Sequence, residues 1–150
     1  MGLQKLIEGY HEAVGGPPAG GFETTVGYHV VLDHGEVVIR LDVTDAHCSR
    51  YGVGHGGVTL TLLDTVGGIA VWHRERPQRM ATINLACQFL ELVEKGPVVA
   101  TASIDRLGRK IAHTSMALHA GDKSGPILAT AVGSYRLFRA GPTAPPEPNA

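Results

Sequence analysis

The sequence predicts an α+β domain in which one long central helix is wrapped by a curved antiparallel β-sheet. Three observations predict it. An apolar stretch with helical length runs from about His55 to Arg74, and Asp64 is the only charged residue between Arg50 and Arg74. Four strand-like segments follow it, separated by Gly/Pro or charged turns of hairpin length. These later strands are hairpin-linked and not interleaved with helices, so they read as an antiparallel meander and not as repeated parallel units.

Along the chain, Leu3, Leu6, Ile7, Tyr10 and Val14 follow helical spacing until Gly15-Gly16-Pro17-Pro18 stops them. Residues 1–20 are therefore expected to be an N-terminal helix and linker. Thr24 to Leu32 is rich in β-branched residues and reads as a strand, with a turn at Asp33-His34-Gly35. Glu36 to Val43 alternates, with Val37, Ile39 and Leu41 on one face and Val38, Arg40 and Asp42 on the other. Thr44 to Gly54 is a polar loop leading into the long helix.

Gly67 and Gly68 inside that helix each cost roughly 1 kcal/mol against Ala, which makes sense if another backbone packs close to their face. Pro77 ends the region. Met80 to Leu92 alternates, with Ala81, Ile83, Leu85, Cys87 and Phe89 on one face and Thr82, Asn84 and Gln88 on the other. Val98 to Ile104, Ile111 to His119 and Ile127 to Leu137 complete the sheet, so the folded domain is expected over 21–138. The segment 139–150 holds four of the nine prolines and little apolar bulk, which predicts a disordered tail.

At 150 residues the chain fits one domain with a core that needs no disulfides. A net charge of -1 gives no nucleic-acid footprint. Two cysteines make no disulfide framework and favour a reducing compartment. The N-terminus has no signal-peptide pattern, and the apolar helix carries Asp64 and is short for a membrane span. The expectation is a cytoplasmic protein with no membrane or nucleic-acid partner.

The chemistry concentrates where His55-Gly56-Gly57 opens the long helix. A helix N-terminus leaves free N–H groups, which suit a carbonyl oxygen gaining negative charge. Asp64 on an apolar helix suits general-base or nucleophile chemistry, although a structural acid held by a neighbouring loop would look the same. Thr61, Asp64 and Gly68 share a helical face by their spacing, with small residues beside the acid.

Other readings carry less. Gly52-Val53-Gly54-His55-Gly56-Gly57 satisfies G-x-G-x-x-G, but a polar loop and not a strand precedes it, against a dinucleotide site. Cys48 beside His47 does not make a nucleophile pair, because adjacent residues seldom face each other. His113 and His119 are six apart on one strand face, too distant to chelate one ion unaided. Two basic groups, Arg74, Arg76 and Arg79, and Arg106, Arg109 and Lys110, read first as solvated charge.

Taken together, His55-Gly56-Gly57, Asp64 nine positions after that histidine, Thr82, Phe89-Leu90, the turn Gly96-Pro97 and the turn Leu107-Gly108-Arg109-Lys110 resemble the hotdog-fold acyl-CoA thioesterase superfamily, in its PaaI-like branch. The resemblance covers roughly residues 20 to 138. It implies sheets joined edge to edge in a homodimer at least, with a homotetramer as the larger alternative. It implies sites shared between subunits, with the His55 turn from one and Asp64 from the other. The Gly56 N–H would polarise the thioester carbonyl, Asp64 would act as base on water or as nucleophile, and Thr82 would help orient the water. His55 would hold the turn or the thioester region, and Gly57, Arg109 and Lys110 would help bind the CoA portion. Ser49 stands where the family usually has Asn, and offers a hydroxyl donor of shorter reach.

The expected function is hydrolysis of an acyl-CoA thioester to free acid and CoA, with no cofactor beyond the CoA of the substrate. A non-catalytic acyl-CoA-binding module and a hydratase or dehydratase of the same fold are the alternatives. A carboxylate on the helix favours the hydrolase.

Overall fold

The computed structural model describes residues 21–139. The expected N-terminal helix, and the expected tail beyond Arg139, lie outside the described residues. Element order is α1 (Phe22–Val26), β1 (His29–Asp33), β2 (Glu36–Val43), a 3-10 turn (Asp45–His47), α2 (Gly56–Glu75), β3 (Arg79–Phe89), β4 (Gly96–Leu107), β5 (Ile111–Ala120) and β6 (Ile127–Phe138). The strands form one antiparallel sheet in the order β1-β2-β4-β5-β6-β3. The predicted helix wrapped by a sheet is what forms.

The α2 helix buries Leu62, Leu63, Val66, Ile69 and Trp72 in the main core, against Ile39, Leu41, Ala100, Met116, Leu118 and Ala131 of the sheet. Burial of such side chains is worth about 1.5–3 kcal/mol each, so this packing holds helix to sheet. Val37, Ile39 and Leu41 share the core face as expected. The β1–β2 turn places both His34 and Gly35 at positive φ, the two-residue arrangement that matches strand twist.

Two expectations are corrected. Thr24 to Leu32 is not one strand, because Phe22–Val26 forms a helical turn. Gly27 at φ 85 ends it, its N–H donating to the Glu23 carbonyl, and the strand begins only at His29. A left-handed glycine cap closes the turn whatever the β-branched propensity of Thr24, Thr25 and Val26.

The second correction concerns β3. Its pairing with β6 shifts between Thr82 and Asn84, so the strand does not keep one face throughout. Met80 and Thr82 turn toward α2 before the bulge, and Leu85 and Cys87 pack on the core after it. Ile83 sits at the irregularity and is 54% exposed. A bulge exchanges the faces of everything beyond it, which simple alternation cannot show.

β3 is also a sheet edge, hydrogen-bonded to β6 alone. Ile83, Phe89, Leu90 and Leu92 are exposed on or just after it. A long apolar edge of this kind invites another strand. No helix among the described residues is long and apolar enough to cross a membrane.

Candidate active site

His55 is the N-cap of α2, with extended backbone (φ -65, ψ 136). Its Nδ1 accepts the Gly57 N–H at 2.9 Å, which puts the proton of the neutral ring on Nε2. Val58 N–H donates to the His55 carbonyl at 2.9 Å. Gly56 N–H, between them, donates to no described group. The cap thus leaves one donor of the first turn open. Gly57, expected to help bind the CoA portion, has its own N–H committed to His55. The loop before the helix is closed by a bridge between Cys48 and Gly54, and His55 N–H donates to the His47 carbonyl. Within that loop Ser49 is half-buried, and its Oγ accepts the Tyr51 N–H at 3.2 Å.

Asp64 lies two turns further along α2 and is half-buried. Its Oδ1 accepts a hydrogen bond from Thr82 Oγ1 at 2.9 Å, so the two residues expected in one site are in contact. This pairing depends on the bulge, which sets Thr82 facing the helix just before the register shifts. Both line a cleft of about 400 Å³ between α2 and β3. Gly68, Ile69 and Trp72 continue its helix wall, and Met80 and Tyr28 close its apolar part. Thr61 is not part of the wall. Its hydroxyl donates back to the Gly57 carbonyl at 2.9 Å.

The two adjacent glycines have different jobs. A Cβ on Gly67 would overlap the Tyr135 hydroxyl and lie 3.0 Å from both Met116 Sδ and Thr114 Oγ1. The close neighbour is therefore a set of side chains, not the backbone that the sequence suggested. A Cβ on Gly68 would meet only the Tyr135 ring at 3.5 Å and Met80 Cε at 3.8 Å, ordinary contacts. Packing requires Gly67, whereas Gly68 leaves space in the cleft. Tyr135, which sequence reasoning missed, is 2% exposed and donates its hydroxyl to the main-chain carbonyl of Asp64 at 3.0 Å. Burial, reinforced by the nearby Asp64 carboxylate, pushes the phenol well above its usual range and keeps it a donor. The only sequence signal for it was a lone aromatic directly after the run Ala131-Val132-Gly133-Ser134.

Arg109 and Lys110 sit in the β4–β5 turn and do not line the cleft. Arg109 offers its carbonyl to Arg139 Nε at 3.2 Å, and Lys110 its carbonyl to Leu137 N–H. Arg79, which does line the cleft, and Arg136 flank the Phe138 ring at 5.8 and 5.7 Å. These residues make one basic corner of the sheet. Arg76 stacks on Trp72 at 4.1 Å, and Arg74 is exposed.

Chemically, the chain offers an open N–H at a helix N-terminus and a carboxylate held by a hydroxyl beside an apolar cleft. Eight residue steps of helix take Gly56 to Asp64, about 12 Å along the axis at 1.5 Å per residue. One carbonyl cannot reach both within a single chain.

Comparison with known proteins is consistent with this chemistry. The family model described as the thioesterase superfamily matches residues 51–126, from the loop before α2 to the turn before β6. A protein of Pseudomonas aeruginosa, provisionally named an esterase, is 33% identical over 104 residues, covering 68% of this chain and 75% of its own. Human acyl-coenzyme A thioesterase 13 is 28% identical over 85 residues, covering 56% of this chain and 61% of its own. The crystal structure of a Bacillus halodurans protein with CoA superimposes with a TM-score of 0.74 at 22% identity, covering 93% of this chain and 92% of that one. With a family match over half its length and a relative above 30% identity across most of the fold, this chain belongs to the thioesterase superfamily.

Proposed function

We propose that this protein hydrolyses an acyl-CoA thioester in a site shared by two copies of the chain. The observation that carries the proposal is the arrangement on α2: an open Gly56 N–H at its start, and Asp64 held by Thr82 beside a cleft two turns later. The name of the human relative and the CoA held by the Bacillus halodurans protein support CoA as the thiol portion.

In this reading the thioester carbonyl lies against the N-terminus of α2 of one subunit. The Gly56 N–H, strengthened by the helix dipole, stabilises the oxyanion as the carbonyl carbon is attacked. Asp64 of the other subunit takes a proton from the attacking water, or attacks directly to form an anhydride that water then opens. Thr82 steadies the carboxylate. The CoA thiolate departs and is protonated by solvent or by the acid just formed. His55 serves by shaping the turn, since its Nδ1 is committed to the cap. Ser49, near the turn, tunes the site with a hydroxyl. The basic corner of Arg79, Arg109, Lys110 and Arg136 offers partners for the CoA phosphates.

The same physics supports a second copy. The Gly56–Asp64 separation leaves each chain with half of two sites, and the bare β3 edge with its exposed apolar residues is the surface a second sheet would cover. Release of free thiol from a panel of acyl-CoAs tests the activity. Turnover of at least one member is expected, and saturable binding without release across the panel would favour a non-catalytic acyl-CoA module.

The cleft beyond Asp64 takes the acyl group, and Gly68 sets its room. Gly68→Ala is expected to raise Tm, since Ala in a helix interior is favoured by about 1 kcal/mol and meets no clash. Gly68→Leu is expected to shift the kcat/KM ratio toward shorter acyl groups by about tenfold or more, the scale of a few methylenes in an apolar pocket. An equal change for every chain length would show that the acyl group lies elsewhere.

A further inference from the structure

We propose that Tyr135 is a positioning residue for Asp64. This rests on the proposed role of Asp64 as base or nucleophile. Tyr135 acts on it through the hydrogen bond to its main-chain carbonyl, from a place beside Asp64 and Thr82 in the wall of the same cleft.

The helix is weakest immediately after Asp64. Gly67 and Gly68 follow within one turn, and each lowers helix propensity. The Asp64 carbonyl belongs to this turn. It is the acceptor for the Tyr135 hydroxyl at 3.0 Å, contributed by β6. Gly67 is what admits that hydroxyl, because any Cβ there would occupy its place. The ring itself is buried beside Val71, Ala112 and Leu137, so the donor has little freedom to follow a shifting helix.

Asp64 is therefore tied at two points by two strands that are neighbours in the sheet. Thr82 on β3 holds the carboxylate, and Tyr135 on β6 holds the carbonyl. Thr82 and Tyr135 are themselves opposite each other in the β3–β6 register. A single cross-strand pair thus grips both ends of one residue. This arrangement fixes the height and rotation of the glycine-weakened turn and gives the carboxylate one orientation. Positional errors of this kind are what a proton-transfer geometry does not tolerate.

Tyr135→Phe removes the hydroxyl, keeps the ring, and leaves the Asp64 carbonyl its place in the helix. Two readouts separate positioning from bulk stability. The first is the rotamer of Asp64, from three-bond NMR couplings across its Cα–Cβ bond. One rotamer is expected in the wild type and averaged couplings in Tyr135→Phe. The second is kinetic: kcat is expected to fall about threefold to tenfold, the scale of one hydrogen bond, with KM within about twofold. Gly67→Ala, which must displace the hydroxyl, should lower kcat similarly. Adding Tyr135→Phe to it should cost little more, because both remove the same contact.

Wild-type couplings in Tyr135→Phe overturn the assignment, even if its Tm falls. So does a wild-type kcat. If the wild-type protein turns over no thioester, the proposed function fails, and the couplings alone still decide whether Tyr135 positions Asp64.

Discussion

Asp64→Asn is expected to remove nearly all thioester turnover while leaving the fold intact. The Asn carbonyl can accept the Thr82 hydroxyl that Oδ1 now accepts, so the local contact survives. No ion pair to Asp64 is found among the described residues, so neutralising it strands no buried cation. What disappears is the capacity to take a proton or to attack. Loss of a working base costs about 100-fold or more in kcat. Steady-state kinetics on a variant with wild-type circular dichroism checks this, and a kcat within a few-fold of wild type would remove Asp64 from the mechanism.

Gly56→Pro should be nearly as damaging, and for a reason confined to one hydrogen atom. Proline is well suited to the first position of a helix, where its missing N–H breaks no helical bond. The preceding residue is compatible too, since His55 already holds the extended conformation that proline requires of its neighbour. A Cβ on Gly56 meets only the Phe89 ring, at 3.4 Å and beyond. Folding and helix start are therefore expected to survive while the proposed oxyanion donor is deleted. By the scale of such donors, kcat should fall about 10²- to 10³-fold. Gly56→Ala keeps the N–H and is the control, expected within a few-fold of wild type. Equal loss in both variants would trace the effect to crowding by Phe89 and not to the donor.

The start of α2 and Asp64 were legible as parts of a candidate site before folding, because their signals are local. A glycine pair at a helix start and a lone carboxylate on an apolar helix carry signals within a few residues, whereas Thr82 was singled out by the family resemblance alone. What was not legible depends on register between distant strands. Alternation placed Thr82 opposite Leu85 and Cys87, yet the bulge after Thr82 brings all three to the helix side. Gly67 and Gly68 look alike in sequence, and only the position of Tyr135 on β6 separates a packing glycine from one that vacates a cleft. Thr24 to Val26 read as strand because side-chain propensity was clear, whereas the left-handed Gly27 that closes a helical turn there was not. His55 was expected to hold either the turn or the thioester region, and its N-cap bond, which leaves Gly56 as the open donor, is a matter of ring orientation that the sequence does not show.

The central claim is that a working site takes Gly56 from one chain and Asp64 from another, and mixing two inactive variants tests it most directly. Asp64→Asn and Gly56→Pro are co-unfolded and refolded together at equal concentration, and thioester turnover is compared with each variant alone. In a mixed dimer, one of the two sites pairs an intact Gly56 with an intact Asp64, so random assortment is expected to restore about a quarter of wild-type activity. Activity that stays at the level of the separate variants, in a mixture shown by mass spectrometry to contain mixed dimers, would contradict a shared site.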